Sequence, residues 1–456
     1  MTSVVRGGRV VTPDGEQKAD VAIDDGRITA IGPELPGGGE EIDARGLLVL
    51  PAVIDVHVHF NEPGRTEWEG AATGSRALAA GGGAVFFDMP LNSTPCTVNG
   101  REVDAKRAAL EAASITDFGL WGGLVPGSVA EMAEMAAKGV VGFKAFMCDS
   151  GLPEFPRADD TTLLDGLREA ARLGLPVAVH AESEEMLTRL AQQATARTAR
   201  AFLESRPVEA EVEAIERALQ LAEEAHATLH IVHVSSGRGV AVAAAAKARG
   251  VDVSIETCPH YLFFVDEDLE RLGTVAKCAP PLRRAADQEA LWDALEAGQV
   301  DIVASDHSPT VPAMKEGDMF SAWGGIAGAQ STLPVVLSAS HARGLPVERL
   351  ASLLAAAPAR RFRLAHKGAL AAGHDADLAL VDPDERHTLR VSDLQQRHKT
   401  SPYLNATFRG RVRRTLRRGE TIFLDGRITA QSRGRLVRPH ASPRALHPES
   451  RGTGPS

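Results

Sequence analysis

Residues 47–60 read LLVLPAVIDVHVHF, an apolar run whose last third carries Asp55, His57 and His59 at alternate positions. In an extended strand alternate side chains share a face, so these three are predicted to project together. Runs of the same kind recur down the chain: GAVFFDMP, FGLWGGLV, VVGFKAFM, LPVAVHAE, LHIVHVSS, VDVSIETC and VDIVASDHSP. Between most of them lie amphipathic segments such as EWEGAATGSRALAAGG and PVEAEVEAIERALQLAEEAHA, which suit helices. Eight apolar strands alternating with helices predict an α/β chain with a (β/α)8 TIM-type barrel over residues 51–365. A doubly wound open sheet is the alternative, although eight strands exceed its usual count.

Polar residues cluster at one end of these runs. His57, His59, Asp88, Lys144, His180, His233, Glu256 and Asp306 stand at or just before the C-terminal ends of their strands. In a barrel those ends converge on one face, where active sites are built. The flanks differ. Residues 1–50 and 366–430 hold short β-like pieces, and DDGRITAIG resembles LDGRITAQS. The two chain ends are therefore predicted to form one small β-sandwich domain beside the barrel. Residues 431–456, rich in Arg, Pro, Ser and Gly, are predicted to be a disordered tail. The run RGRVRRTLRRG (409–419) reads as a solvated hairpin face, with an anionic partner as the alternative.

Composition narrows the function classes. The hydrophobic and charged fractions of 44% and 24% over 456 residues are those of a globular protein. No apolar run is long enough to span a bilayer, which predicts no membrane partner. A net charge of −10 and 4% aromatic residues argue against duplex and single-strand nucleic-acid binding. The start, MTSVVRGGRVVTPDG, lacks a continuous apolar core, and the four Cys form no CxxC pair. Both features point to reduced thiols and a cytoplasmic location.

His57 and His59 could bind one metal ion together, because three polar groups projecting into a barrel would otherwise need buried partners. Lys144 is one of nine Lys against 41 Arg and has apolar neighbours on both sides. A buried ammonium loses its proton or finds a counter-ion. One outcome is a salt bridge to Asp149 or Glu182. The other is reaction of the neutral amine with carbon dioxide, which gives an anionic carbamate with two oxygens able to bridge two metals. His180 and His233 end strands five and six, and Asp306 closes strand eight as a metal-binding carboxylate and proton shuttle. His230, three residues before His233, falls on the opposite face of an extended strand and reads as structural. His260 follows strand seven and could reach the pocket mouth or pack in its loop. A mixed N/O set suits zinc first, and also cobalt, manganese or iron. Two divalent ions so held would activate water at neutral pH, implying hydrolysis of an acyl group.

At this point the chain resembles the cyclic amidohydrolases, the group of dihydroorotases, hydantoinases and allantoinases, and among them the allantoinases most. The motifs that carry the resemblance are HVHFNEPGRTEWEG, FFDMPLNSTPCT, VGFKAFMCDSG, PVAVHAE, HIVHVSS, ETCPHYL, KCAPPLR, SDHSPT and WGGIAGAQSTLP, spread over nearly the whole length. The resemblance implies that His57, His59 and Asp306 hold one metal and His180 and His233 the second, with carbamylated Lys144 between them. It implies ring opening of allantoin to allantoate, with Asn61, Asn92, His260, Cys278 and Gly325 contacting the substrate, and a homotetramer. Asn61 stands where dihydroorotases carry an Arg for the substrate carboxylate, and allantoin has no carboxylate. Arg65 is the residue that could substitute for that Arg. A hydantoinase or dihydroorotase activity, or a metal-free assembly scaffold, are the alternatives; all six ligand positions being filled argues against the scaffold.

Overall fold

The structure, a computed structural model, describes residues 2–440. Eight parallel strands follow one another in chain order: β1 (Val53–Val58), β2 (Gly83–Asp88), β3 (Asp117–Gly123), β4 (Gly142–Phe146), β5 (Val177–His180), β6 (Leu229–Ile231), β7 (Val253–Thr257) and β8 (Ile302–Val303). The seam between β8 and β1 is closed just past the strands. Val58 bridges His307, His59 N donates to His307 O at 2.8 Å, and Ser305 N donates to Asp55 Oδ1 at 3.0 Å. Ile54, Val56, Val85, Phe87, Trp121, Ala178, Val232 and Ile302 form one buried cluster together with Phe362. Phe87 and Trp121 meet the edge of Phe362 at 5.0 and 5.3 Å, so the barrel is plugged and its chemistry is confined to the open mouth.

The connecting helices follow from local signals. In Asp160–Leu173 the Asp159 carboxylate accepts from Thr162 N at 2.8 Å, and Gly174 at φ 68° ends the helix. Leu163, Gly166, Leu167 and Ala170 make its buried stripe.

The β-sandwich domain orders nine strands, five from residues 3–51 and four from residues 378–428. Leu378–Val381 pairs antiparallel with Leu48–Pro51 and joins the two chain ends. The two similar pieces are two hairpins. Asp25-Gly26 (φ 47° and 77°) and Asp425-Gly426 (φ 43° and 84°) place both central residues in the left-handed region that a tight hairpin turn requires. The fold class is thus the predicted one, a (β/α)8 barrel with a β-sandwich domain. The opening stretch is divided, however: Leu48–Pro51 belongs to the sandwich, and the barrel strand begins at Val53.

Two further stretches are clearer in three dimensions. Within the tail predicted as disordered, residues 431–440 lie along the barrel, and residues 441–456 fall outside the described residues. Phe118 N donates to Arg435 O, Val437 N donates to Phe118 O, and Leu436 packs on the main apolar cluster, so a short apolar pair with backbone pairing orders the segment. In the Arg run, Arg409 pairs with Asp384, Arg411 and Arg413 with Glu385, Arg414 with Glu40, Arg417 with Glu420, and Arg418 with Asp117. Those cations are balanced within the chain.

Candidate metal centre and its cavity

His57 Nε2 and His59 Nε2 lie 3.2 and 3.5 Å from Asp306 Oδ1, with the two rings 5.5 Å apart. The pairing register slips between Asp55 and Val58, so β1 delivers its ligands from an irregular end. The supports are buried polar groups. His57 Nδ1 meets Glu256 Oε1 at 2.9 Å, and His59 Nδ1 meets the Asn92 amide at 3.1 Å. Asp88 accepts from Phe60 N at 2.7 Å and is itself paired with buried Lys106. Asp306 adopts φ 45°, a left-handed turn immediately after β8 that brings the carboxylate over the mouth.

On the other side, His180 Nδ1 and His233 Nε2 are 3.1 Å apart, and His180 Nε2 lies 2.7 Å from Glu182 Oε2. Arg206 closes this chain with a two-point pair to Glu182. Lys144, at the centre of β4, is fully buried, and its Nζ has no hydrogen-bond partner among the described residues. Neither predicted counter-ion serves it. Glu182 is occupied by His180 and Arg206, and Asp149 Oδ1 accepts from Gly151 N. Phe146, stacked on the His180 ring at 4.6 Å, lies 4.9 Å from the Lys144 Nζ.

The placement of His230 corrects the sequence reading. Strict alternation puts it on the opposite face from His233, but β6 ends at Ile231 and His233 takes φ 40°. That turn brings His233 inward, and His230 also faces the barrel interior. There it pairs with Glu256 Oε2 at 3.0 Å and Ser254 Oγ at 2.8 Å, and stacks on Trp121. Glu256 thus spans His57 and His230.

The electrostatics follow from burial and pairing. Burial would raise the Glu256 and Glu182 carboxyls, yet His57 and His230, and Arg206 and His180, hold each at about 2. Burial would raise Asp306 as well, but His57 and His59 keep it well below the usual carboxylate range. Burial lowers His59, His180 and His233, which favours their neutral forms. The Lys144 amine is lowered by burial to about 8.

This donor set fits metal ions. Ionised carboxylates take the Nδ1–H of His57 and the Nε2–H of His180, which leaves the opposite ring nitrogens as lone pairs facing the mouth. His180 Nδ1 and His233 Nε2 face each other at hydrogen-bond distance, while the buried Lys144 amine and His233 Nδ1 have no partner among the described residues. Cys148 also lies near His180 and Glu182, and burial raises its thiol far above its ordinary value.

A cavity of about 540 Å³ opens above these groups. Of the predicted substrate contacts, Asn92 and Gly325 line it, whereas Asn61, His260 and Cys278 do not. Asn61 is buried behind the wall at φ 65° with its amide near Pro309 O. His260 is packed against Tyr261 at 4.2 Å, and the neighbouring Ala279 reaches the cavity in place of Cys278. The Gly325 amide is committed to Lys277 O at 2.7 Å, and the Gly324 amide is the one in that strip without a partner among the described residues. Arg65 pairs with Glu154 and stacks over Trp68, so it does not stand in for the Arg of dihydroorotases. Phe146, Arg206, Lys277, Phe320 and Trp323 line the cavity without having been singled out. Nothing in their spacing marks them, because they come from loops that only the closed barrel assembles.

Comparison with known proteins accords with this geometry. The chain is 63% identical over 453 residues to the allantoinase of Solibacter usitatus, covering 98% of this chain and 99% of the relative. It is 59% identical to the allantoinase of Rubrobacter xylanophilus, over 96% and 97% of the two chains. Among solved structures, the L-hydantoinase (dihydropyrimidinase) from Arthrobacter aurescens superposes with a TM-score of 0.93 at 33% identity, over 96% of this chain and 99% of that one. The model of the amidohydrolase family matches residues 48–422, a span that runs from the last strand of the N-terminal segment through the whole barrel. With that match and those identities, the chain belongs to the amidohydrolase family.

Proposed function

We propose that this hydrolase opens the hydantoin ring of allantoin to give allantoate. In this reading His57, His59 and Asp306 hold one divalent ion and His180 and His233 a second, zinc first among the candidates, with Lys144 bridging as a carbamate. The observation that carries it is the partnerless Lys144 amine set among imidazoles, of which His57 and His180 have their outer nitrogens tied to carboxylates. Addition of carbon dioxide to the neutral amine forms an N–C bond and releases one proton, leaving –NH–COO⁻ in place of an uncompensated buried group. The identity of the substrate is supported by the curated relatives.

When bound, the ions would polarise the scissile carbonyl and lower the pKa of a water molecule. The chain's own residues do the rest. Asp306 Oδ1, placed between the His57 and His59 nitrogens, accepts the proton of the attacking water. It returns that proton to the ring nitrogen as the C–N bond breaks. The nitrogen leaves as the terminal amide of a urea, and the carbonyl carbon becomes a carboxylate. The free Gly324 amide can donate to a ring carbonyl oxygen. Glu256 and Glu182 hold the imidazole tautomers throughout.

The strong superposition on an L-hydantoinase favours a second reading, in which a simpler 5-substituted hydantoin is preferred. Steady-state assays of the metal-loaded enzyme on allantoin, hydantoin and dihydroorotate decide between them. The proposal expects kcat/KM to be highest for allantoin, and a preference for either of the others overturns it. We further place the enzyme in the cytoplasm as a homotetramer, with the expected domain limits of 1–50 plus 366–430 and 51–365 shifted so that Pro51 stays with the sandwich. In support, the four cysteines are free, and no helix among the described residues is long and apolar enough to cross a membrane.

A further inference from the structure

One wall of the cavity, Phe320–Gly325, is an irregular loop with no regular helix or strand to occupy its backbone carbonyls. Two lysines take those carbonyls. Lys277 Nζ donates to Ala322 O and, at 3.4 Å, to Phe320 O. Lys315 Nζ donates to Gly325 O at 2.5 Å and Trp323 O at 3.0 Å, and is anchored on Thr274 O at 3.3 Å. Four of the six carbonyls in this wall are therefore drawn onto two lysine side chains. Trp323 N and Gly325 N are bound to Met314 O and Lys277 O, each at 2.7 Å. What the arrangement leaves free at the cavity is the Gly324 amide. Lys277 is also seated on the Phe202 ring at 5.0 Å, and that ring packs edge-on against Phe320 of the wall.

We propose that Lys277 and Lys315 are positioning residues for substrate recognition. They hold the Phe320–Gly325 backbone in the one shape that presents a donor to the ring, as a regular element would. A lysine suits this use because its three N–H groups can serve two or three carbonyls of an irregular loop at once. None of these hydrogen bonds involves His57, His59, Lys144, His180, His233 or Asp306, so the lysines act on binding and leave the reacting centre alone. The inference rests on the reading that this cavity takes a cyclic amide.

Lys315→Met keeps the aliphatic stem and removes the donors. The expected result is a KM raised about tenfold or more with kcat within about threefold and two metals per chain retained. Hydrogen exchange of the 318–326 backbone should quicken in the variant while that of the barrel strands stays as in the parent. Lys315→Arg, which keeps donors, should recover at least half of the loss in logarithmic terms. If Lys315→Met does not yield soluble enzyme, Lys277→Met is read by the same split. An unchanged KM in a folded variant, or a fall in kcat with loss of metal, overturns the proposal. The assays use whichever cyclic amide the parent enzyme opens fastest. Failure of the allantoin assignment then shows in the parent's substrate preference, and failure of the lysine assignment shows in the variants.

Discussion

Two buried lysines at opposite ends of the barrel meet contrasting surroundings. Lys367, near the N-terminal end, has Asp117 and Asp375 at 2.9 Å and Asp377 at 2.6 Å, with Arg418 also on Asp117. Burial alone would lower its amine, but the three carboxylates raise it well above the ordinary value. Lys144, toward the mouth, has no partner among the described residues and is lowered by burial to about 8. The chain can evidently surround an interior ammonium with counter-charges when the position is structural. Leaving one bare beside imidazoles is a chemical arrangement, since an uncharged amine is the form that reacts with carbon dioxide.

Exchanging or removing these groups should break the contrast in characteristic ways. Lys144→Ala should lower kcat/KM by about a thousandfold or more and release metal, because a bridging anion is lost. Partial recovery with added short carboxylic acids would identify the anion, and full activity of the plain variant would remove the basis for the bridge. Lys367→Met should leave kcat/KM of folded enzyme near the parent value yet cost about 3–5 kcal/mol in denaturant unfolding, because three carboxylates lose their cation in a dry interior. Equal losses of activity in both variants would dissolve the distinction between the two ends.

A third site calibrates burial with only partial compensation. Glu69 is fully buried, and burial raises its carboxyl to about 7, although Thr73 and Arg397 oppose the shift. The folded chain thus holds a proton there that the unfolded chain, near 4.3, has released. Stability should fall as pH rises from about 4.3 to about 7, by up to about 4 kcal/mol in all. Glu69→Gln should flatten that slope in unfolding measured across pH, and an unaltered slope would show the carboxylate to be compensated. The smallest effect belongs to a supporting group. Glu182→Gln should weaken metal binding about 10- to 100-fold, read by competition with a chelating dye, with Asp306 and its proton transfer intact.

Much of this was legible in the sequence because a parallel barrel writes itself as buried apolar runs with polar ends. His57, His59, Lys144, His180, His233 and Asp306 are brought to one mouth as that pattern predicts. What strand periodicity could not convey is where extension stops. His233 and Asp306 leave the strand through positive φ, so the face of His230 was misjudged while that of its neighbour was not. The substrate wall was read less well for a related reason. Whether Cys278 or Ala279 meets the cavity, and whether the Gly324 or Gly325 amide is free, depends on loop turns with no period. Arg206 and Lys315 carry no local motif at all, and their roles arise from loop contacts that only the folded chain assembles. The segment 431–440 looked too polar to order, but its backbone pairs with the start of β3 and needs only Leu436 and Val437 for packing.

The division of the opening stretch has a mechanical consequence. Leu48–Pro51 is clamped in the sandwich by Leu378–Val381, and two residues later, at Val53, the same backbone enters the barrel and runs to His57. Six residues of extended chain, about 20 Å, separate the clamp from the first ligand. Loosening the outer domain by a cut or a tug would therefore be felt at the reaction centre through a taut tether, with no pocket residue altered.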